Sequence, residues 1–204
     1  MNLEYKIIDT VFPILVHFLA LQVMAMTGLK DAALRTMLAA VLTMPLFLYF
    51  YHKEETLWPK QKKKITWYVV LETILAAVGL NFLFSALLSW IVADQGISNE
   101  AQDALLSGRM IFQILGMGIA VPITEELVFR GLVYQKLERY LSVRQAVLLG
   151  AAIFALYHGN IIQGLFAFLM GIILNLLYHH FEDLRVPILF HAASNLMTVL
   201  LSAV

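Results

Sequence analysis

The sequence predicts an all-α fold, a polytopic transmembrane helix bundle of about seven spans. Three observations predict it. Of 204 residues, 61% are hydrophobic and 14% charged, where a soluble domain carries roughly 25% charged residues. The mean hydropathy is +0.80. The apolar residues come in runs, most of them near the ~20 residues that a helix needs to cross a bilayer.

The runs cover residues 7–27, 33–51, 66–92, 109–137, 145–158, 161–179 and 186–203. The first is long enough to span, and its flank MNLEYKIID is mixed in charge, so a cleaved signal peptide is not expected. The connector 98–108, SNEAQDALLSG, predicts a short amphipathic helix. The fourth run contains Gly116, Gly118 and Pro122. Proline removes a donor and crowds the carbonyl four residues back, so a kink or widened turn is expected there. The fifth run is short and ends at His158-Gly159-Asn160, where the sixth begins at once. Those two helices are expected to meet beside a cavity, because irregular backbone at membrane depth must be shielded from lipid. Ala167 and Gly171 in the sixth have the small-xxx-small spacing of close helix packing. Pro187 suits the first turn of the last helix.

Ten of the fourteen basic residues fall on one side: Lys6, Lys53, Lys60, Lys62, Lys63, Lys64, Lys136, Arg139, Arg144 and Arg185. Lys30, Arg35 and Arg109 fall on the other. The positive-inside rule then predicts a cytoplasmic N-terminus. No repeat and no Gly/Ser- or Pro-rich linker divides the chain, so residues 1–204 are read as one membrane domain. The formal net charge is zero, which gives no sign of a nucleic-acid partner. The chain has no cysteine, which excludes disulfides, thiolate metal sites and a cysteine nucleophile.

Within the fourth run stands ITEELVFRG, residues 123–131. Charge inside a bilayer costs several kcal/mol, so it is absent, paired or functional. Glu126 and Arg130 are four apart and pair along one helix face. Adjacent positions differ by ~100°, so Glu125 points elsewhere and needs another partner. A structural ion pair accounts for Glu126–Arg130 at least as well as catalysis does. Glu125 leans toward function. Among six histidines, His52, His179 and His180 read as loop or interface residues, and His17 as a hydrogen-bonded core histidine. His158 ends FALYH, and His191 precedes Asn195 by four, so His191 and Asn195 face one way. At 1.5 Å per residue, Glu125 and His158 lie roughly 18–20 Å, and His191 and Asn195 roughly 8–14 Å, from the lysine-rich ends. These depths place the four in the cytoplasmic half of the membrane.

EELVFR (Glu125, Glu126, Arg130), FALYH (Phe154, His158) and HAASN (His191, Asn195) resemble, in order, the three motifs of the CPBP family. These are the CaaX-protease and bacteriocin-processing membrane proteins, also called Abi. The motif-bearing core is about residues 109–204; the rest matches only as generic membrane helices. The resemblance implies an intramembrane endopeptidase of a multi-pass membrane protein, with the short chain closer to bacterial plasma-membrane members. The implied substrate is a membrane-associated peptide or protein: CaaX-type, leader or bacteriocin, or signalling peptide.

Two arrangements fit these residues. In one, Glu125 and His158 activate a water while His191 and Asn195 donate to the oxyanion, with Glu126 and Arg130 orienting the site. In the other, Glu125, His158 and His191 hold a divalent metal, zinc being the natural choice. The HExxH motif is absent, so ligand spacing does not decide between them. Two non-proteolytic readings stand beside these: a membrane scaffold or regulator, and a transporter. The absence of an inverted repeat weighs against the transporter.

Overall fold

The computed structural model describes residues 3–92 and 99–203. Among them the regular structure is all helical. Three long helices come first: α1 (Leu3–Met26), α2 (Ala32–Leu57) and α3 (Trp67–Val92). The short α4 (Glu100–Leu106) is capped by Asn99, whose side chain accepts from the Gln102 N–H. It fulfils the expected connector helix, although Ser98 lies outside the described residues. Then come α5 (Met110–Leu137), α6 (Val143–Tyr157), α7 (Ile161–Phe181) and α8 (Arg185–Ser202).

Five helices are long and apolar enough to cross a membrane: α1, α2, α3, α5 and α7. The expected fifth and seventh runs form helices too, shorter or more polar than those five. With 15 residues, α6 reaches only about 22 Å, short of the ~30 Å hydrocarbon core. The other, α8, has 18 residues but carries Arg185, His191, Ser194 and Asn195. Its polar side is matched inside the bundle: Asn81 of α3 donates to the Ser194 hydroxyl (2.8 Å) and to Thr198 (3.2 Å).

Of the five, α5 is the most buried, and it packs against α1, α2, α7 and α8. Its glycines permit that approach. A Cβ on Gly116 would stand 2.9 Å from Met37 Cβ, and one on Gly118 would collide with Leu196 of α8. The expected widened turn is present twice. Wide i→i−5 turns run over Gln113–Ala120 and Leu127–Tyr134, and six α-helical residues, Val121–Glu126, lie between them. Gly171 of α7 lies against Ala151 of α6, so the small-residue spacing serves internal packing.

The lysine-rich ends form an ion-pair network. Lys136 pairs with Asp9 (2.7 Å), Arg139 with Glu54 (2.6 Å) and Lys60 with Glu138 (3.2 Å). These acidic partners let α2 continue as helix past Tyr51, where its apolar run ends. At the opposite end, Asp31 caps α2 through the Leu34 N–H (3.0 Å) and also accepts from the Arg109 N–H at the foot of α5 (2.9 Å). Burial of Asp31 opposes its charge, but the N–H donors and the Arg109 guanidinium outweigh this and hold its carboxyl below the usual range. A depressed carboxyl stabilises the fold above its ordinary pKa and loses that effect as pH falls through the depressed value. Asp31→Ala should cost about 1 kcal/mol at neutral pH. Thermal unfolding in detergent should show the gap between wild type and variant closing as the medium is acidified below the carboxylate range.

Candidate active site

The motif residues assemble around one ring. Phe154 of α6 is 2% exposed. The Arg130 guanidinium lies 4.4 Å over its centroid, the His158 ring 4.8 Å edge-on and the His191 ring 6.1 Å away. Three separate sequence motifs thus share one aromatic seat. A guanidinium on a desolvated ring gains about 2 kcal/mol. Phe154→Leu keeps apolar volume but removes that seat. It should lower thermal stability by about that amount and reduce any hydrolytic turnover, measured on the same preparation.

Glu126 and Arg130 are fully buried and joined at 3.0 Å, as their spacing predicts. The same carboxylate oxygen, Glu126 Oε1, accepts from His191 Nδ1 at 2.8 Å. That contact fixes Nδ1 as the protonated nitrogen of His191 and turns Nε2 toward Glu125, whose Oε2 is 3.7 Å away. One imidazole therefore stands between two carboxylates. His158 is oriented by the same logic: its Nδ1 donates to the Phe154 carbonyl at 2.8 Å, leaving Nε2 free. The four-residue interval from Phe154 to His158 is the interval that this back-bond requires.

Asn195 donates from Nδ2 to the Met117 carbonyl at 2.9 Å. The backbone explains why. In the wide turn, the Val121 N–H bonds the carbonyl of Gly116, five residues back. The next carbonyl, Met117, would receive the N–H of residue 122, which is proline and has none. Asn195 supplies the missing donor and keeps a second amide hydrogen.

Glu125, His158, His191 and Asn195 all line one cavity of about 530 Å³. Glu126 and Arg130 lie behind its wall. Other lining residues are Thr36, Ser85, Ser89 and Asn99. These belong to the helix ends that carry α4, while Met170 and Leu174 carry the lining toward the lysine-rich end of α7. Glu125 itself sits near mid-depth, about 18 Å from Leu137 and about 22 Å from Met110.

Two contributors escaped the sequence reading. Tyr157, beside His158 on the cavity wall, bonds His17 Nδ1 at 2.7 Å, and their rings stack. His17 is 1% exposed, so it is a core histidine as expected, but one joined to the cavity wall. Asn81 ties α8 in place. A lone polar residue in an apolar run was the available signal for both His17 and Asn81. For a zinc ion, Glu125 and the free Nε2 atoms have suitable chemistry. Among the described residues, however, no three His, Asp or Glu side chains are grouped so as to hold a metal.

This arrangement is a buried, oriented set of carboxylates and imidazoles facing a cavity within an all-helical bundle. Residues 107–197 match a protein family described as type II CAAX prenyl endopeptidase Rce1-like. No curated protein and no solved structure matches the chain. The motif-bearing segment is therefore Rce1-like, in agreement with the CPBP resemblance. The chain is an integral multi-pass membrane protein, and its segment 107–197 is similar to CAAX-type prenyl endopeptidases.

Proposed function

We propose that the protein is an intramembrane endopeptidase that hydrolyses a peptide bond of a membrane-associated substrate with a water activated by Glu125 and His158. The observation that carries this reading is the shared cavity: Glu125, His158, His191 and Asn195 reach it from three different helices. Water held between the Glu125 carboxylate and His158 Nε2 loses a proton to Glu125 as its oxygen adds to the scissile carbonyl carbon. The resulting oxyanion receives the second amide hydrogen of Asn195. Collapse breaks the C–N bond, and the proton held by Glu125 passes to the leaving amine. Glu126 and Arg130 touch no reacting atom in this scheme. They hold His191 in its orientation. By the positive-inside rule the lysine-rich ends and the N-terminus face the cytoplasm.

The test is cleavage of a fluorogenic panel by purified protein in detergent, covering prenylated CaaX, leader and transmembrane-type peptides. Wild type and Glu125→Gln are run side by side, with and without chelator. Cleavage by wild type alone is the expected result. Cleavage that persists in Glu125→Gln sinks the mechanism. Loss of activity with chelator and its return with zinc would replace it by a metal-based one.

A further inference from the structure

The pair His17–Tyr157 takes no part in the scheme above, although Tyr157 stands on the cavity wall. The two rings stack at 5.6 Å, 14° from parallel, and the hydroxyl lies 2.7 Å from His17 Nδ1. Leu21, one turn after His17, also lines the cavity, so this face of α1 is turned toward it. Phe129 packs edge-on against Tyr157 (5.0 Å) and against Phe154 (4.8 Å), which ties the tyrosine to the ring that seats His158 and His191. The carboxylate whose charge bears on both His17 and Tyr157 is Glu125.

The bond within the pair can run in either direction, and burial chooses between them. His17 is 1% exposed, and among the described residues its Nε2 has no hydrogen-bond partner. The histidines in ion-pair contact with a carboxylate there are His179 and His191, so His17 is buried unpaired and neutral. A neutral imidazole has one N–H. Were Tyr157 the donor, that N–H would stand on Nε2, buried with no acceptor, at the full cost of its desolvation. With the hydrogen on Nδ1 it is used, and the orphan is a bare lone pair, the lesser penalty. Tyr157 then accepts from His17, and its own hydroxyl hydrogen is left to be donated.

Resting on the peptidase reading, we infer that Tyr157 is a further catalytic residue: its hydroxyl accepts from His17 Nδ1–H and donates its hydrogen to the oxyanion formed in the cavity, beside the amide hydrogen of Asn195. His17 is a positioning residue in this arrangement. The scheme above supplies the oxyanion with one donor, and Tyr157 provides a second that is oriented before the reaction begins. A hydroxyl whose oxygen already accepts a hydrogen bond is polarised and donates more strongly.

Tyr157→Phe alone keeps the ring but strands the His17 N–H, so it can lose stability as well as activity. Combined with His17→Phe it removes both polar ends, keeps both rings and strands nothing, and this double variant should melt with wild type in detergent. The probes are two S-farnesylated CaaX peptides in which the bond after the cysteine is replaced by –CH(OH)–CH2– in one and –CH2–CH2– in the other. They differ only in the hydroxyl that stands where the oxyanion forms. By competition against a fluorescent peptide, wild type should prefer the hydroxyl member, and the double variant should lose about five-fold or more of that preference. On the true peptide the double variant should lose about a hundred-fold in kcat with little change in KM. Nitrogen NMR of 15N-histidine-labelled protein, assigned with His17→Phe, should find the His17 proton on Nδ1. A proton on Nε2 overturns the inference, as does a hydroxyl preference that is absent in wild type or unchanged in the double variant. So does a double variant that regains the turnover lost in Tyr157→Phe, since the pair is then structural. Binding and NMR are read without turnover, so a failure of the peptidase reading shows separately, as no cleavage of the true peptide by wild type.

Discussion

Arg130→Met, made alone, is expected to leave little folded protein, and Glu126→Gln in the same chain should restore much of it. Glu126 has no exposure to solvent, and its nearest cation is the Arg130 guanidinium. Removing one partner of a buried pair strands the other and costs about 3–5 kcal/mol. That is a large share of the ~5–15 kcal/mol that holds a typical domain together. In the double variant no charge is stranded, and the amide oxygen introduced by Glu126→Gln can still accept from His191 Nδ1. The recovery should be substantial for a second reason. Among the described residues, Glu126 Oε2 and Arg130 Nε and Nη2 have no hydrogen-bond partner, so the native pair is incompletely satisfied. An incompletely satisfied buried pair contributes little net stability against an uncharged substitute of similar volume. Size-exclusion profiles and melting in detergent for wild type, both single variants and the double variant measure this directly. If Arg130→Met alone melts with wild type, the pair is not what holds α5. If the double variant folds but turns over poorly, the pair is kept for the orientation of His191.

The helices were legible because bilayer length and apolar composition speak directly in sequence. The observed ends of α5 and α7 lie within two residues of the expected ones. The exceptions are physical. The helix α2 runs on to Leu57 because Glu54 and Glu55 find basic partners on other elements, which periodicity does not register. Residues 143–157 and 186–202 form the expected helices, but apolarity does not reveal what shields their polar residues. Asn81, for example, matches Ser194 across more than a hundred residues of chain. The site residues were legible as types and spacings: Glu126 with Arg130, and His191 with Asn195 on one face. Three relations were not legible. The Phe154 ring as common seat, the Asn195 bond to Met117 and the His191 bridge between two carboxylates all depend on where α6 and α8 lie against α5. A one-dimensional pattern sets the helix faces but not their neighbours. The extent of the cavity was hidden for the same reason. Depth along each helix follows from counting residues, whereas the space between helices is set by α3 and α4, which carry no motif.

Glu125→Gln should reduce kcat by about a thousand-fold, within the range that loss of a general base produces, while leaving the fold intact. The expectation of intact folding comes from its surroundings. Unlike Glu126, Glu125 faces the cavity, and its closest basic atom, His191 Nε2, is 3.7 Å away, too far for a hydrogen bond. Neutralising it strands no partner, since His191 keeps its bond to Glu126. Binding of an uncleavable substrate peptide should therefore persist. Glu126→Gln should behave differently. It leaves Glu125 in place but strands Arg130, so stability falls with activity. The two adjacent glutamates are thus separable by experiment: one variant melts like wild type and does not turn over, the other melts early. Should Glu125→Gln turn over at more than a tenth of the wild-type rate, Glu125 is not the base. The free Nε2 of His158 would then be the remaining group on the cavity wall placed to take the proton.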